Sequence, residues 1–194
     1  MKDLFAPAGP EGLTYEEGFL SLAEEDALIR AIGAVGLSPF RFQGWTGKRL
    51  TASFGWHYDF DRASFGPAEP IPDFLLSVRE RAAAFADLAP DDLVQALLIR
   101  YDPGAGIGWH RDRPVFEHVI GISLGDPEVL RLRKRKFEGG FARARRNLAP
   151  RSIYHLIGEA RHEWEHSIAP SDARRWSITF RSLSARGRTM AASG

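Results

Sequence analysis

From residue 93 onward the chain is a succession of strand-length apolar stretches, each cut off by glycine or proline. Residues 94–101, 118–124, 129–134, 152–157, 166–168 and 175–183 read as strands. Between them stand Asp102-Pro103-Gly104, Gly125-Asp126-Pro127, Gly139-Gly140, Ala149-Pro150 and Pro170, residues that fit turns and stop ladders. Stretches so short and so often broken bury their apolar faces only by pairing with one another. The second half is therefore expected to be a sheet-built core, sandwich or barrel.

The first half reads differently. Thr14-Tyr15-Glu16-Glu17 has the form of a capping box, and Leu20, Leu28, Ile29 and Ile32 follow at helical spacing. This predicts a helix over about 15–34, stopped near Gly36, and Pro72 opens a second over about 73–88. Between them, Phe40, Phe42, Trp45, Phe54, Trp56, Tyr58 and Phe60 surround a turn at Gly44 and Gly47, as in a hairpin carrying several rings. Phe40 and Phe42 are expected in the core. The class is α+β in one domain, 1–194: helices and a hairpin over 1–92, the sheet core over 93–183, and a small polar tail over 184–194 expected to fray.

Composition removes several chemistries. With no cysteine there is no disulfide, iron–sulfur cluster, thiolate zinc site or thiol nucleophile, so any metal must be held by His and carboxylate. No apolar run approaches a membrane span, and the N-terminus has no signal core, so a cytoplasmic protein without membrane contact is expected. The formal charge of +1 hides an uneven distribution. Residues 131–151 hold nine basic side chains against Glu138 alone. Two readings stay open: a solvated hairpin, or a docking surface for a polyanion. The linear sequence there lacks clear aromatic interleaving.

His110 and Asp112 are two apart, so on extended chain they project to one face. Alone, such a pair is as readily a surface hydrogen-bonded couple. His166, on a later predicted strand, supplies a third ligand and completes the two-His, one-carboxylate set of non-haem iron(II) sites. Arg175, Ser177, Thr179 and Arg181 share one face of the last strand; Trp176, Ile178 and Phe180 share the other. Two guanidiniums on one face are costly to bury unless an anion such as a small dicarboxylate meets them; the other reading is the solvent face of an edge strand. His162-Glu163-Trp164-Glu165-His166 also spells a zinc-protease motif. Gly158 just before it and Pro170 just after leave no helix long enough to present it, and no downstream His supplies a third ligand. His162 is expected at the surface, and His57, His118 and His155 in structural roles.

From about Leu97 to Leu183 the sequence resembles the AlkB-type iron(II)/2-oxoglutarate dioxygenases. The matching pieces are Arg100-Tyr101-x-Pro103-Gly104, His110-Arg111-Asp112, Ile122-Ser123-Leu124-Gly125, Arg161 before His166, and Arg175 with Arg181 around Ser177-Ile178-Thr179-Phe180. The resemblance implies a double-stranded β-helix, or jelly-roll barrel, with the N-terminal helices packed outside. It implies that Fe(2+) is bound by His110, Asp112 and His166. It implies that 2-oxoglutarate is held by Arg175 at its distal carboxylate, with Arg181 near its metal end and Tyr101 hydrogen-bonded to it, and that O2 is the oxidant. Arg49, Phe54-Gly55 and Tyr58 are similar to the family's substrate lid, so Arg49, Trp45, Trp56, Tyr58 and Arg161 are the candidate substrate contacts. The function implied is oxidative dealkylation of N-alkylated bases in DNA or RNA by a monomer. The alternatives are the same oxygenase acting on a protein or small molecule, or a non-catalytic nucleic-acid module. The sequence departs from the repair pattern at Pro114, where many members have an acid, and at Ile99, where many have Asn; both positions bear on substrate rather than iron.

Overall fold

The computed structural model describes residues 9–42, 45–59 and 64–192, and for 41, 42, 45, 46, 57–59, 64 and 65 the backbone alone. In chain order the elements are β1 (Leu13–Glu16), α1 (Leu22–Ala34), β2 (Ser38–Phe42), β3 (Trp45–Asp59), β4 (Ser64–Pro67), α2 (Leu76–Phe85), β5 (Leu93–Tyr101), β6 (Ile107–His110), β7 (Phe116–Gly125), β8 (Glu128–Arg135), β9 (Phe141–Leu148), β10 (Ile153–Leu156), α3 (Gly158–His162), β11 (Glu165–Ile168), β12 (Arg175–Leu183) and α4 (Ala185–Ala192). The six strands expected after residue 92 are all present, within two residues of their predicted ends.

The strands form two antiparallel sheets. The larger has the order β1-β10-β7-β12-β5-β3-β2, with β4 on β3; the smaller is β6-β11-β8-β9. Among the described residues no ladder closes the two sheets into a barrel. They face one another instead, and Ile99 and Tyr101 of the large sheet pack with Leu130, Leu132, Leu148 and Ile168 of the small one.

Strand β12 lies at the middle of the large sheet, paired with β5 on one side and β7 on the other. Its period of two sorts its side chains. Ile178 and Phe180 face outward with Leu98, Ile120 and Ile122, all fully buried under α1 and α2. Leu28 and Ile32 of α1 and Val78, Ala82 and Ala83 of α2 complete that layer, each large side chain contributing about 1.5–3 kcal/mol. Arg175, Ser177, Thr179 and Arg181 consequently point between the sheets.

Three expectations are corrected. The first helix begins at Leu22, not near 15: Ser21 and Glu24 form the capping box, with Glu24 N–H donating to Ser21 Oγ at 3.2 Å and Ser21 N–H to Glu24 Oε2 at 2.7 Å. Thr14 instead lies in β1, paired with His155, because Leu13 and Tyr15 pack into the sheet core. The tail does not fray over 185–192, where α4 forms. Gly187 there sits so close that an added Cβ would meet the Val115 carbonyl oxygen at 2.1 Å. The residues read as a ring-bearing hairpin do pair, as β2 with β3, but β3 also joins β5 from Leu50 to Gly55 and so belongs to the sheet.

Candidate metal and cosubstrate centre

Strands β6 and β11 are antiparallel neighbours, and His110 stands directly opposite His166. Their rings meet on the inner face of the small sheet with centroids 4.3 Å apart. Strand β6 ends at His110, so Asp112 lies just past it, not on the strand expected to carry both. Its carboxylate still reaches the imidazoles: Oδ2 is 3.5 Å from His166 Nε2, and one ligand atom from each of the three residues falls within 4.8 Å of the others.

The loop after His110 is held on two sides. Arg161 Nη2–H donates to the carbonyls of Arg113 and Phe116, both at 2.7 Å. Ser184 donates through Oγ to Pro114 O at 2.6 Å and through N–H to Val115 O at 2.9 Å. Arg161 was expected to touch substrate. It is buried, lines the cavity with its Nε unpartnered, and through Nη2 fixes the loop that presents Asp112.

Electrostatics set the protonation states. Burial alone would raise the Asp112 pKa, but Arg181, His166, His110 and Arg161 together outweigh it and hold it well below the usual carboxylate range. Arg181 donates Nε–H and Nη2–H to Oδ1 at 2.8 and 2.6 Å. Burial, then His110, lowers His166 to about 3 against the opposing pull of Asp112. His110 Nδ1 lies 2.9 Å from Gly108 O, so Nδ1–H donates there and Nε2 is the ring nitrogen left for a metal. An ionised carboxylate at Asp112 and a neutral imidazole at His166 are states a divalent ion requires of its ligands. Asp112 Oδ2 is buried with no hydrogen-bond partner, so the set keeps a free acceptor that a cation would satisfy.

Arg175 is 2% exposed and makes one hydrogen bond, Nη2–H to Ser123 Oγ at 3.0 Å. Its Nε and Nη1 are buried without partners, and its guanidinium lies 4.9 Å from the Tyr101 ring centre. Unsatisfied donors on a buried cation are costly unless a carboxylate meets them. Gln95 extends the arrangement outward, accepting from Arg181 Nη1–H at 2.9 Å and donating to Ser53 Oγ of β3 at 3.1 Å.

His110, Asp112, His166, Arg175, Arg181, Tyr101 and Gln95 line one cavity of about 1430 Å³ between the sheets. Arg49 enters it from β3, stacked on Phe40 at 3.8 Å with its Nε buried and unpartnered. Phe40, expected in the core, thus forms part of the wall. Trp56 pairs with Pro67 at the β4 end of β3 and is not among the described residues that line the cavity. The side chains of Trp45 and Tyr58 lie outside the described residues. His162 is exposed and bonds Glu117 at 2.9 Å, and α3 ends there, so the zinc-protease motif is not assembled.

Sequence reasoning missed Tyr154. It lines the cavity over Gly121, its cross-strand partner, where a Cβ would meet the ring at 2.2 Å. Burial first, then Tyr101 and Asp112, raises its pKa, so the phenol stays protonated. A glycine inside an otherwise apolar strand was the available signal for such a close approach.

Facing imidazoles, a carboxylate with a free oxygen, and an unsatisfied guanidinium define a non-haem iron(II) oxygenase that takes a dicarboxylate cosubstrate. Residues 12–181 match the 2OG-Fe(II) oxygenase superfamily, and the chain belongs to it, as an AlkB-like dioxygenase dependent on iron(II), 2-oxoglutarate and O2. An uncharacterized protein (L905) of Acanthamoeba polyphaga mimivirus is 31% identical over 148 residues, 66% of this chain and 68% of that protein. The alkylated DNA repair protein ALKBH8 homologue of Arabidopsis thaliana is 25% identical over 182 residues, 81% of this chain; the chain spans half of its length. Among solved structures, OsALKBH1 superposes with a TM-score of 0.68 at 16% identity, over 91% of this chain and 99% of that one. A prolyl-4-hydroxylase of Pseudomonas putida does so at 0.59 and 16%, over 89% and 93%. No helix among the described residues is long and apolar enough to cross a membrane.

Proposed function

We propose that the protein removes N-alkyl groups oxidatively from bases in DNA or RNA. His110, Asp112 and His166 hold iron(II), which with 2-oxoglutarate and O2 supplies the oxidising power to hydroxylate a C–H bond. Arg175 takes the distal carboxylate of the cosubstrate, and Arg181 keeps Asp112 ionised and oriented. Apolar walls from Leu97, Ile99, Leu130 and Leu148 keep water from the reacting atoms. For an N-methyl base the balance is base-CH3 plus O2 plus 2-oxoglutarate giving base-H, formaldehyde, succinate and carbon dioxide.

The observation that carries this reading is the cavity. At about 1430 Å³ it exceeds the roughly 300–1,000 Å³ that one small ligand fills. Room for a planar base remains beside a five-carbon diacid, and the Arg49–Phe40 stack at the β2–β3 hairpin offers a ring and a cation to a nucleotide. The similarity to a relative named an alkylated DNA repair protein supports it. A second reading, hydroxylation of a protein side chain, draws on Pro114 standing where repair members carry an acid and on the fold shared with a prolyl hydroxylase.

The test supplies iron(II), 2-oxoglutarate and air with methylated oligonucleotides and, in parallel, with proline- and lysine-containing peptides. Formaldehyde from the oligonucleotides is expected. Peptide oxidation with inert oligonucleotides would replace this reading by the second.

A further inference from the structure

The basic segment 131–151 is not uniformly solvated. Strand alternation divides it. Leu130, Leu132, Ala142, Ala144 and Leu148 turn inward to the core between the sheets. Three of its cations are engaged elsewhere: Lys134 with Glu163 at 2.7 Å and Glu159 at 3.4 Å, Arg146 over the Tyr15 ring at 5.2 Å, and Arg151 with Glu25 at 2.7 Å. Lys136 lies in the turn between the strands, and Arg131, Arg133 and Arg135 of β8, with Arg143 and Arg145 of β9, are left together on the outer face of the small sheet.

Their register is unfavourable on its own. Arg131 stands directly opposite Arg145, and Arg133 opposite Arg143. Like charges at directly opposed positions of an antiparallel pair destabilise it. One acid relieves them, Glu165, which accepts from Arg133 Nε–H at 2.6 Å; Arg131 finds only the neutral Ser167 hydroxyl at 3.1 Å. Arg135, Arg143 and Arg145 have no acidic partner among the described residues.

Trp109, from outside the segment, joins the segment's own Phe141 beside these arginines. Trp109 of β6 lies 4.5 Å from the guanidinium of Arg133 and 5.2 Å from that of Arg131, and Phe141 lies 4.5 Å from Arg133 and 5.8 Å from Arg143. Trp109, Arg131, Arg143 and Arg145 line a shallow groove of about 330 Å³. At the hairpin tip Phe137 is the most exposed large apolar side chain among the described residues.

We infer that this outer face is a second binding surface, engaging the phosphates of a single strand that flanks the nucleotide in the cavity. The inference rests on the nucleic-acid reading above and adds where the rest of the polymer lies. Five arginines against one acid suit a polyanion, the groove suits a backbone, and a free ring at the tip suits an unpaired base. Trp109 adjoins His110, so the face lies one sheet thickness behind the metal ligands. A mononucleotide in the cavity does not reach it; a longer strand does.

The experiment uses the iron-loaded full chain, a labelled single strand of about 15 nucleotides, and a salt series from about 50 to 200 mM. The pair Arg143→Glu with Arg145→Glu removes two exposed cations without touching the cavity. Expected are at least tenfold weaker binding and a salt slope shallower by about 1.4, at about 0.7 per lost phosphate contact. Arg143→Lys with Arg145→Lys should restore most of the affinity, Phe137→Ala should weaken single-strand binding several-fold, and 2-oxoglutarate turnover without substrate should not change. Demethylation of a methylated mononucleotide should be equal in all variants, while that of the long strand falls in the Glu pair. Equal affinity and slope in the Glu pair and wild type, with the long strand still demethylated, would overturn this surface and leave the proposed function standing. No oligonucleotide binding or demethylation by wild type, with or without binding to heparin or anionic vesicles, would remove both.

Discussion

Replacing Arg175 by Met should move stability and cosubstrate affinity in different directions. The side chain is fully enclosed, donates one hydrogen bond to Ser123, and leaves Nε and Nη1 without partners. A buried charge so poorly compensated contributes little to folding. An apolar side chain of similar volume is neutral or stabilising in such places by up to about 1–4 kcal/mol, less about 1 kcal/mol for the Ser123 hydroxyl left behind. Binding responds oppositely. In the proposed function the two free donors and the charge would meet the distal carboxylate of 2-oxoglutarate, and charge-assisted hydrogen bonds are each worth about 1.5–3 kcal/mol. Losing two of them costs about 3–6 kcal/mol, or roughly 10²- to 10⁴-fold in affinity. The assay is thermal unfolding with and without 2-oxoglutarate, alongside the KM for 2-oxoglutarate in its conversion to succinate. Wild type should gain about 2.7 kcal/mol at a hundredfold excess over Kd, and the variant should gain almost nothing while unfolding no earlier than wild type in the absence of ligand. A variant that melts far below wild type yet keeps its KM would refute the reasoning, because Arg175 would then be a structural residue.

Glu25 is buried on α1, accepting from Gly125 N–H at 2.8 Å and Arg151 Nη1–H at 2.7 Å, so Glu25→Gln should cost about 2 kcal/mol by urea denaturation and leave 2-oxoglutarate turnover intact. Gly187→Ala would press on the Val115 carbonyl and shift the loop behind Asp112; a loss of about 1–3 kcal/mol together with weaker iron(II) binding by calorimetry is expected. His155, hydrogen-bonded to His118 at 2.9 Å, is lowered to about 4 by burial and then by that neighbour. The folded state therefore resists protonation that the unfolded chain accepts from about pH 6.5. Stability should fall as pH drops from about 6.5 to about 4, and His155→Gln should flatten that part of the profile when denaturation midpoints are compared.

The sequence made legible whatever depends on alternation and local spacing. Ile178 and Phe180 against Ser177 and Thr179 announced the two faces of β12, and with them the inward turn of Arg175 and Arg181. His110, Asp112 and His166 were legible as a ligand set, although pairing between β6 and β11, not a shared strand, brings them together. Non-local choices were not legible. Thr14-x-x-Glu17 and Ser21-x-x-Glu24 are equally good capping boxes, and only the pairing of β1 with β10 decides between them. Trp109 sits among arginines more than twenty residues away because of sheet order, which no linear window displays. Gly187 carries its packing role in a tail whose composition suggests fraying.

The central claim is one iron(II) site made by His110, Asp112 and His166. Its most direct test is iron(II)- and O2-dependent conversion of 2-oxoglutarate to succinate without any substrate, in wild type and in His110→Ala and Asp112→Ala. Turnover in wild type and none in either variant, each still folded by circular dichroism, is predicted; undiminished turnover in either variant would contradict the assignment.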